Sequence, residues 1–238
     1  VNHSEPIHLR PTAALAERVL LPGDPGRALA LAQFLLSEPL MFNHHRGLWG
    51  YTGTAADGQP LTVQSTGMGG PSAAIVLHEL ISLGVGRAIR VGTCGGLNAA
   101  LGLGDLVVAR EAIPADGTSA ALGAGELTRA DSVLTKALVG ELEGGSSRAH
   151  YGRIVSTDLF YQRDDQRHHA WSEQGALAVE MEAAALFALG ANAGVQVACL
   201  LAVSDTFDAV GARTRIDDDA LLSVVETMGT AAAAAIAV

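Results

Sequence analysis

The sequence predicts an α/β fold carried by one domain over residues 1–238. Three observations lead there. Short apolar runs alternate with stretches of helical periodicity along the whole chain. Several of those runs stop at glycine, hydroxyl or carboxylate residues. The 238 residues, 49% of them hydrophobic, are enough for one full core and too few to favour two domains.

The elements follow in order. Residues 18–21 read as a short buried strand stopped by Pro22. "GRALALAQFLL" (26–36) has helical periodicity and begins after Pro25. "LWGYTGTAADGQPLTVQSTG" reads as a hairpin with an Asp57-Gly58 turn and a second strand at 61–66. "GMGGPSAAIVLHELISLG" is a glycine turn, then a helix with Pro71 in its first turn and Gly84 at its end. "RAIRVGTCGGL" is a strand entering a second glycine cluster, and "GDLVVAREAIPAD" is another strand. Residues 128–143 are expected as helix, and 153–161 as a strand running into a loop. "LAVEMEAAALFALGANAG" reads as a short strand followed by a helix ending near Gly194. "VQVACLLAVSD" is a buried strand, and 216–237 a final amphipathic helix. No internal repeat or linker interrupts this order.

Composition excludes several classes. The formal net charge of −10 argues against nucleic acid as a partner, because a nucleic-acid binder presents a basic face. No charge-free apolar run reaches transmembrane length, so no membrane partner is expected. The opening "VNHSEPIHLRP" lacks a basic segment followed by an apolar one, and the expectation is a cytoplasmic protein without a secretory signal. Cys94 and Cys199 lie in apolar stretches and read as reduced core thiols. Neither they nor the His-His pairs at 44–45 and 168–169 have metal-ligand spacing, so no metal site is expected.

The strand ends carry the chemistry. In α/β sheets, ligands sit at the carboxyl ends of strands. In "RVLLPGDPGRA", Gly23 and Gly26 free the backbone to approach a ligand, and the helix that follows favours negative charge at its N-terminus. Arg27 lies in its first turn. Arg90, inside "AIRVG", is expensive to bury without an anion or a carboxylate. Arg46 in "NHHRGLWG" is a third guanidinium. With the Thr93 hydroxyl, these three would cradle a phosphate. The competing reading gives each arginine a structural carboxylate partner. In "VEMEAAALF", Glu180 and Glu182 flank Met181. Two carboxylates at i and i+2 of extended chain point the same way, and would accept hydrogen bonds from vicinal sugar hydroxyls. The alternative is a pair of acids at a helix N-terminus. Asp205 closes an apolar strand, where desolvation favours a proton donor; the alternative is a loop or helix cap. Neither a Walker sequence nor a well-placed GxGxxG is present.

Taken in order, "LLPGDPGRA", "NHHRGLWGYTG", "STGMGGPSAAIVLHEL", "RVGTCGG", "STDLFY", "VEMEAAALF" and "AVSD" resemble the nucleoside phosphorylase family. That family includes bacterial purine nucleoside phosphorylases and uridine phosphorylases. The resemblance spans about His8 to Asp205. It implies a mixed central β-sheet flanked by helices, and phosphorolysis of a nucleoside to ribose 1-phosphate and free base. It implies phosphate binding by Gly23, Arg27, Arg90 and Thr93, with Arg46 crossing from a neighbouring subunit. It places Met68, Glu180, Met181 and Glu182 at the ribose, with His8 reaching the ribose 5′ end of an adjacent subunit's site. Phe160, Tyr161, Gly92 and Ser204 fall beside the base, and Asp205 serves as the acid at purine N7. Arg213, Arg215 or neither assists that aspartate. No cofactor is implied beyond phosphate as a substrate, and the shared sites imply a homohexamer.

Asp205 favours purines. "FYQRDDQR" offers Gln162, Arg163, Gln166 and Arg167 near the place where uridine phosphorylases read a pyrimidine, so uridine is the alternative substrate. A water-using nucleosidase and a non-catalytic nucleoside-binding protein are further alternatives. The phosphate cluster argues against the nucleosidase.

Overall fold

The computed structural model describes residues 6–145, 147–161, 165–208 and 212–238. The first half of the chain contains β1 (Arg18–Leu21), α1 (Pro25–Leu35), β2 (Ser37–Asn43), β3 (Gly50–Thr54), β4 (Pro60–Gln64), α2 (Gly70–Ser82) and β5 (Arg87–Gly96). Then come β6 (Leu106–Ala115), α3 (Gly117–Ala121), β7 (Thr128–Arg129), α4 (Ser132–Leu142), β8 (Ala149–Thr157) and α5 (Asp165–Glu173). The chain ends with β9 (Ala176–Glu180), α6 (Ala183–Ala193), β10 (Gln196–Phe207), β11 (Arg213–Arg215) and α7 (Asp218–Ala235).

The strands form one mixed 11-stranded sheet. β5 runs parallel to β10 along nearly its whole length. The pairings of β10 with β6, β6 with β8, β8 with β9 and β9 with β5 return to the start, so five strands close into a ring. β1, β4, β3 and β2 extend from β5 as an open wing. The free edge of β5 pairs with β1 over Arg87–Arg90 and with β9 at Gly95 and Gly96. The ladder on that edge is interrupted over 91–94, and the sheet parts there at the carboxyl ends of β1 and β5.

Alternation explains why these strands read as continuous apolar runs. Leu20, Ile89, Val91, Ala198 and Leu200 pack with α1, α4 and α7. Val19, Leu21, Ala88, Cys199 and Leu201 pack with α2 and α6. A sheet covered on both faces needs apolar residues at both parities. α6 is buried from Ala183 to Gly190, as an apolar run must be, and its end around Asn192 is exposed. Both cysteines are buried in this core.

Three departures from the sequence reading have local causes. The stretch expected as helix over 128–143 splits, because Thr128 and Arg129 pair with Ala112 and Glu111 of β6. Asp131 then caps α4, accepting from Val133 and Leu134 N–H groups, each at 2.9 Å. β2 was not expected: its residues from Ser37 to Met41 are exposed and show no apolar alternation. β11 is three exposed residues, defined only by pairing with β10. No helix of the described residues is long and apolar enough to cross a membrane.

Gly190 marks the tightest helix-to-sheet approach of α6. A Cβ there would lie 2.5 Å from Val197 Cγ2 and 3.0 Å from the Val195 carbonyl oxygen. Gly190→Ala is therefore expected to destabilise the protein by about 1–3 kcal/mol through overpacking, read as a lower denaturation midpoint at unchanged m-value.

Candidate active site

The opening in the sheet leads into a cavity of about 410 Å³. It is lined by Gly23 and Arg27 from the β1–α1 turn, Arg90 and Thr93 from β5, Glu180, Met181 and Glu182 from the β9–α6 junction, and Ser204 and Asp205 from β10. Met68 and Phe160 join them from loops. Most of the residues singled out by sequence thus converge on one place.

The β1–α1 turn is a built helix start. Asp24 is the N-cap of α1 and accepts from the Arg27 backbone N–H at 2.7 Å; Pro25 takes the first position, where no N–H is needed. The Arg27 side chain is thereby placed at the cavity. Burial pulls its guanidinium below the ordinary value; Asp24 resists that fall, and the nearby cations Arg90 and Arg215 add to it. Three guanidinium groups within electrostatic reach of one another form a site that an anion relieves.

Arg90 has the carboxylate partners that the competing reading gave it. Its Nε donates to Glu180 Oε2 at 2.9 Å, and its Nη2 donates to Glu182. Its Nη1 is buried and has no partner. That nitrogen faces Gly23, whose hypothetical Cβ would stand 3.9 Å away. Burial would lower the Arg90 value, but Glu182 and Glu180 outweigh it and hold the guanidinium above its ordinary range. The pair of glutamates therefore fixes the cation, and Nη1 alone keeps no partner.

Glu180 is spent in doing this. It accepts from Arg90, from Ser156 Oγ, and from the Glu182 and Ala183 backbone N–H groups at 2.9 Å each. A carboxylate has about four acceptor positions, so Glu180 has none left for a sugar. The expectation that both glutamates bind ribose is corrected: Glu180 organises the start of α6, and Glu182 alone retains acceptor capacity. Glu182 takes the Gly69 N–H at 2.6 Å and one Arg90 N–H. Burial raises its proton affinity while Arg90 opposes the rise.

Gly92 has a steric task rather than a base contact. It sits two residues from Arg90 on the same face of β5, and a Cβ would lie 2.8 Å from Arg90 Nη2 and 2.9 Å from Cζ. Only glycine lets the guanidinium cross to the glutamates. Tyr161 also leaves the base set: it is 89% exposed, meets Phe160 edge-on at 5.0 Å, and does not line the cavity.

Asp205 owes its aim to a β-bulge. β10 pairs Val203 with Cys94 and Asp205 with Gly95, so Ser204 is the extra residue. Ser204 Oγ donates to Asp205 Oδ2 at 2.7 Å. β11 lies antiparallel to this end of β10, with Arg215 opposite Asp205 and Arg213 opposite Phe207. Side chains opposite one another and at i and i+2 share a face, so all four line the cavity. Arg215 Nη1 is 3.3 Å from each carboxylate oxygen of Asp205. Arg213 lies farther off, with Nε at 4.0 Å, and stacks on the Phe160 ring at 4.4 Å. The two arginines thus have different partners, Arg215 the Asp205 carboxylate and Arg213 the Phe160 ring.

Phe207 and His168 were not expected here. Their rings lie 4.6 Å apart, and both line the cavity near Phe160. Phe207 was masked by the apolar run before it; the alternation Asp205, Phe207 beside "RTR" was the available signal. Gln166 and Arg167 do not line the cavity, and Gln162 and Arg163 lie outside the described residues. Two expected residues stand apart. Arg46 is exposed on a 3₁₀ turn (45–47) with a left-handed φ of 58°. His8 borders a separate surface cavity with Ile75 and His78.

Fold and site together define an α/β protein whose cavity gathers arginines, glutamates, aromatic rings and Asp205 at strand ends. A sequence profile of the Phosphorylase superfamily matches residues 17–238, and the chain belongs to that family. It is 41% identical over 206 residues to a DeoD-type purine nucleoside phosphorylase of Clostridium beijerinckii, covering 84% of this chain and 86% of the relative. A DeoD-type purine nucleoside phosphorylase of Caldanaerobacter subterraneus subsp. tengcongensis is 40% identical over 200 residues, covering 81% and 84%. Among solved structures, uridine phosphorylase from Vibrio fischeri ES114 superposes with a TM-score of 0.84 at 28% identity, covering 94% of this chain and 92% of that one.

The cation cluster predicts a stability response. Phosphate bound only by the folded state at a hundred times its Kd stabilises by about 2.7 kcal/mol. Added phosphate is expected to raise Tm. Arg27→Ala keeps the capping backbone N–H, so it is expected to keep the ligand-free Tm within a few degrees and lose most of the phosphate shift, as differential scanning fluorimetry would show.

Proposed function

We propose that this protein catalyses phosphorolysis of purine nucleosides. A phosphate oxygen bonds to the anomeric carbon, the bond to purine N9 breaks, and ribose 1-phosphate and free base result. The observation that carries this reading is the unspent Nη1 of Arg90, buried and facing Gly23 in the cavity that holds Arg27 and Asp205. A water-using enzyme has no need of such a cradle.

The residues divide the work. Breaking the ribosidic bond builds positive charge on the sugar, and a phosphate held by Arg27, Arg90 and Thr93 supplies both nucleophile and countercharge. Glu182 takes the ribose hydroxyls, beside Met68 and Met181. The base leaves without carrying a full negative charge if Asp205 gives a proton to N7. Arg215, 3.3 Å from that carboxyl, stabilises the anion left behind. Phe160, Phe207 and His168 provide the slot for the flat base. Phosphate enters as a substrate, and the reading calls for no metal or organic cofactor.

Purines are favoured over uridine by the Asp205–Arg215 pair and by the names of the relatives near 40% identity. Uridine remains the second reading, favoured by the solved structure from Vibrio fischeri. His8 and Arg46 lie away from their own chain's cavity, which supports sites completed by a neighbouring copy in a homohexamer. The proposed setting is cytoplasmic nucleoside salvage.

Inosine, adenosine and uridine assayed with and without phosphate test this. Phosphate-dependent release of hypoxanthine or adenine, with uridine slow, is expected; purine release at full rate without phosphate overturns the reading. Asp205→Asn is expected to lower kcat for inosine by about 10²- to 10⁴-fold, the range for a lost general acid. Light scattering is expected to return the mass of a hexamer, and an active monomer would exclude shared sites.

A further inference from the structure

Glu79 is a buried carboxylate, 8% exposed, on a helix face otherwise made of Ala73, Val76, Leu77 and Leu80. Such a group needs partners, and it finds them far away in sequence. Oε1 accepts from the Ile7 N–H at 3.0 Å, and Oε2 from the Leu9 N–H at 2.7 Å. The His8 N–H lies 3.0 Å from both oxygens, and His8 Nδ1 is 2.7 Å from Oε1. Three consecutive backbone N–H groups and one imidazole thus converge on a single side chain. Residues 6–10 belong to no strand or helix. Glu79 does for them what a neighbouring strand would do, and Leu9, wholly buried, locks the segment down.

The imidazole contact has a chemical consequence. Burial alone would raise the Glu79 value, but the His8 side chain and the backbone N–H groups of residues 7–9 bring it below the ordinary carboxylate value. An ionised carboxylate can only accept, so His8 Nδ1 must carry its hydrogen and donate. The ring orientation and the tautomer are then both set, and Nε2 is the nitrogen left for another molecule. The His8 side chain is 27% exposed. It borders a surface cavity with Ile7 and Ile75, two exposed apolar residues of the kind a second copy would cover.

We infer that Glu79 is a positioning residue for the reaction: through His8 Nδ1 it holds His8 Nε2 ready to accept a hydrogen bond from the ribose 5′-hydroxyl in a neighbouring copy's cavity. This rests on the phosphorolysis reading and on His8 serving a neighbour. A purely structural Glu79 would make the same backbone contacts, so the test must report on the 5′-hydroxyl.

Steady-state phosphorolysis of inosine and 5′-deoxyinosine by the full-length enzyme and by Glu79→Gln gives that report. The amide keeps an acceptor oxygen for the backbone but loses the charge that fixes the tautomer. A loss of about fivefold in kcat/KM for inosine, mostly in KM, is expected from one hydrogen bond of about 1 kcal/mol. For 5′-deoxyinosine the change is expected to stay within about twofold, because the partner group is missing from the substrate. In His8→Ala, adding Glu79→Gln is expected to have no further effect on inosine. Equal losses on both substrates, or no loss on either, would overturn the inference. If Glu79→Gln does not fold, Glu79→Asp, which shortens the carboxylate but keeps its charge, is put through the same comparison of substrates. Absence of phosphate-dependent base release by the unmodified enzyme is a different result and would refute the function itself.

Discussion

A buried guanidinium sets the terms for the rest of this structure. Arg90 lies in the middle of the sheet, where an unpaired charge would cost several kcal/mol. Two glutamates meet that demand, and they come from the junction of β9 and α6. Glu180 also takes the first N–H groups of α6, and Glu182 takes an N–H at the start of α2. One cation thus ties a strand to two helix starts. Removing any member would leave its partners buried and unmatched, a loss of about 3–5 kcal/mol for an ion pair of this type. The arrangement is tolerable because it is nearly complete, and the single nitrogen it leaves open lies beside Gly23.

The parting of the sheet provides the space. β5 and β10 form the continuous parallel pair of the ring, and they carry Arg90, Thr93, Ser204 and Asp205. Their other neighbours β1, β9, β6 and β11 each pair with only part of their length. A cavity founded on two long paired strands holds its groups on rigid elements, and the loops that complete it bring Met68 and Phe160. The aromatic slot depends on β11, which contributes Arg213 and Arg215 through three cross-strand pairs.

Much of this was legible in the sequence because its causes are local. Proline, glycine and an N-capping aspartate in "PGDPGR" announce a helix start that favours anions. An arginine in an apolar strand announces a charge that must be answered. Apolar residues at both parities announce a sheet covered on both faces. What escaped was long-range. The four donors that consume Glu180 come from three separate parts of the chain. β11 has no apolar pattern of its own and exists through its register with β10. Gly92 looked like a ligand contact because the crossing guanidinium that requires it is fixed by residues ninety positions on. Phe207 and His168 meet only when α5 packs near the end of β10.

The bulge at Ser204 places a demand on the chain that is independent of residue identity. Along β10 the side chains alternate between two helix layers until Val203; the extra residue then advances the alternation by one. Asp205 and Phe207 face the cavity only because of that single added step. A strand running regularly through Ser204 would put Asp205 opposite Gly96, preserve every side chain of the site in the sequence and turn these two to the opposite face. For this stretch, register is information in its own right, carried by the count of residues between Val203 and Asp205.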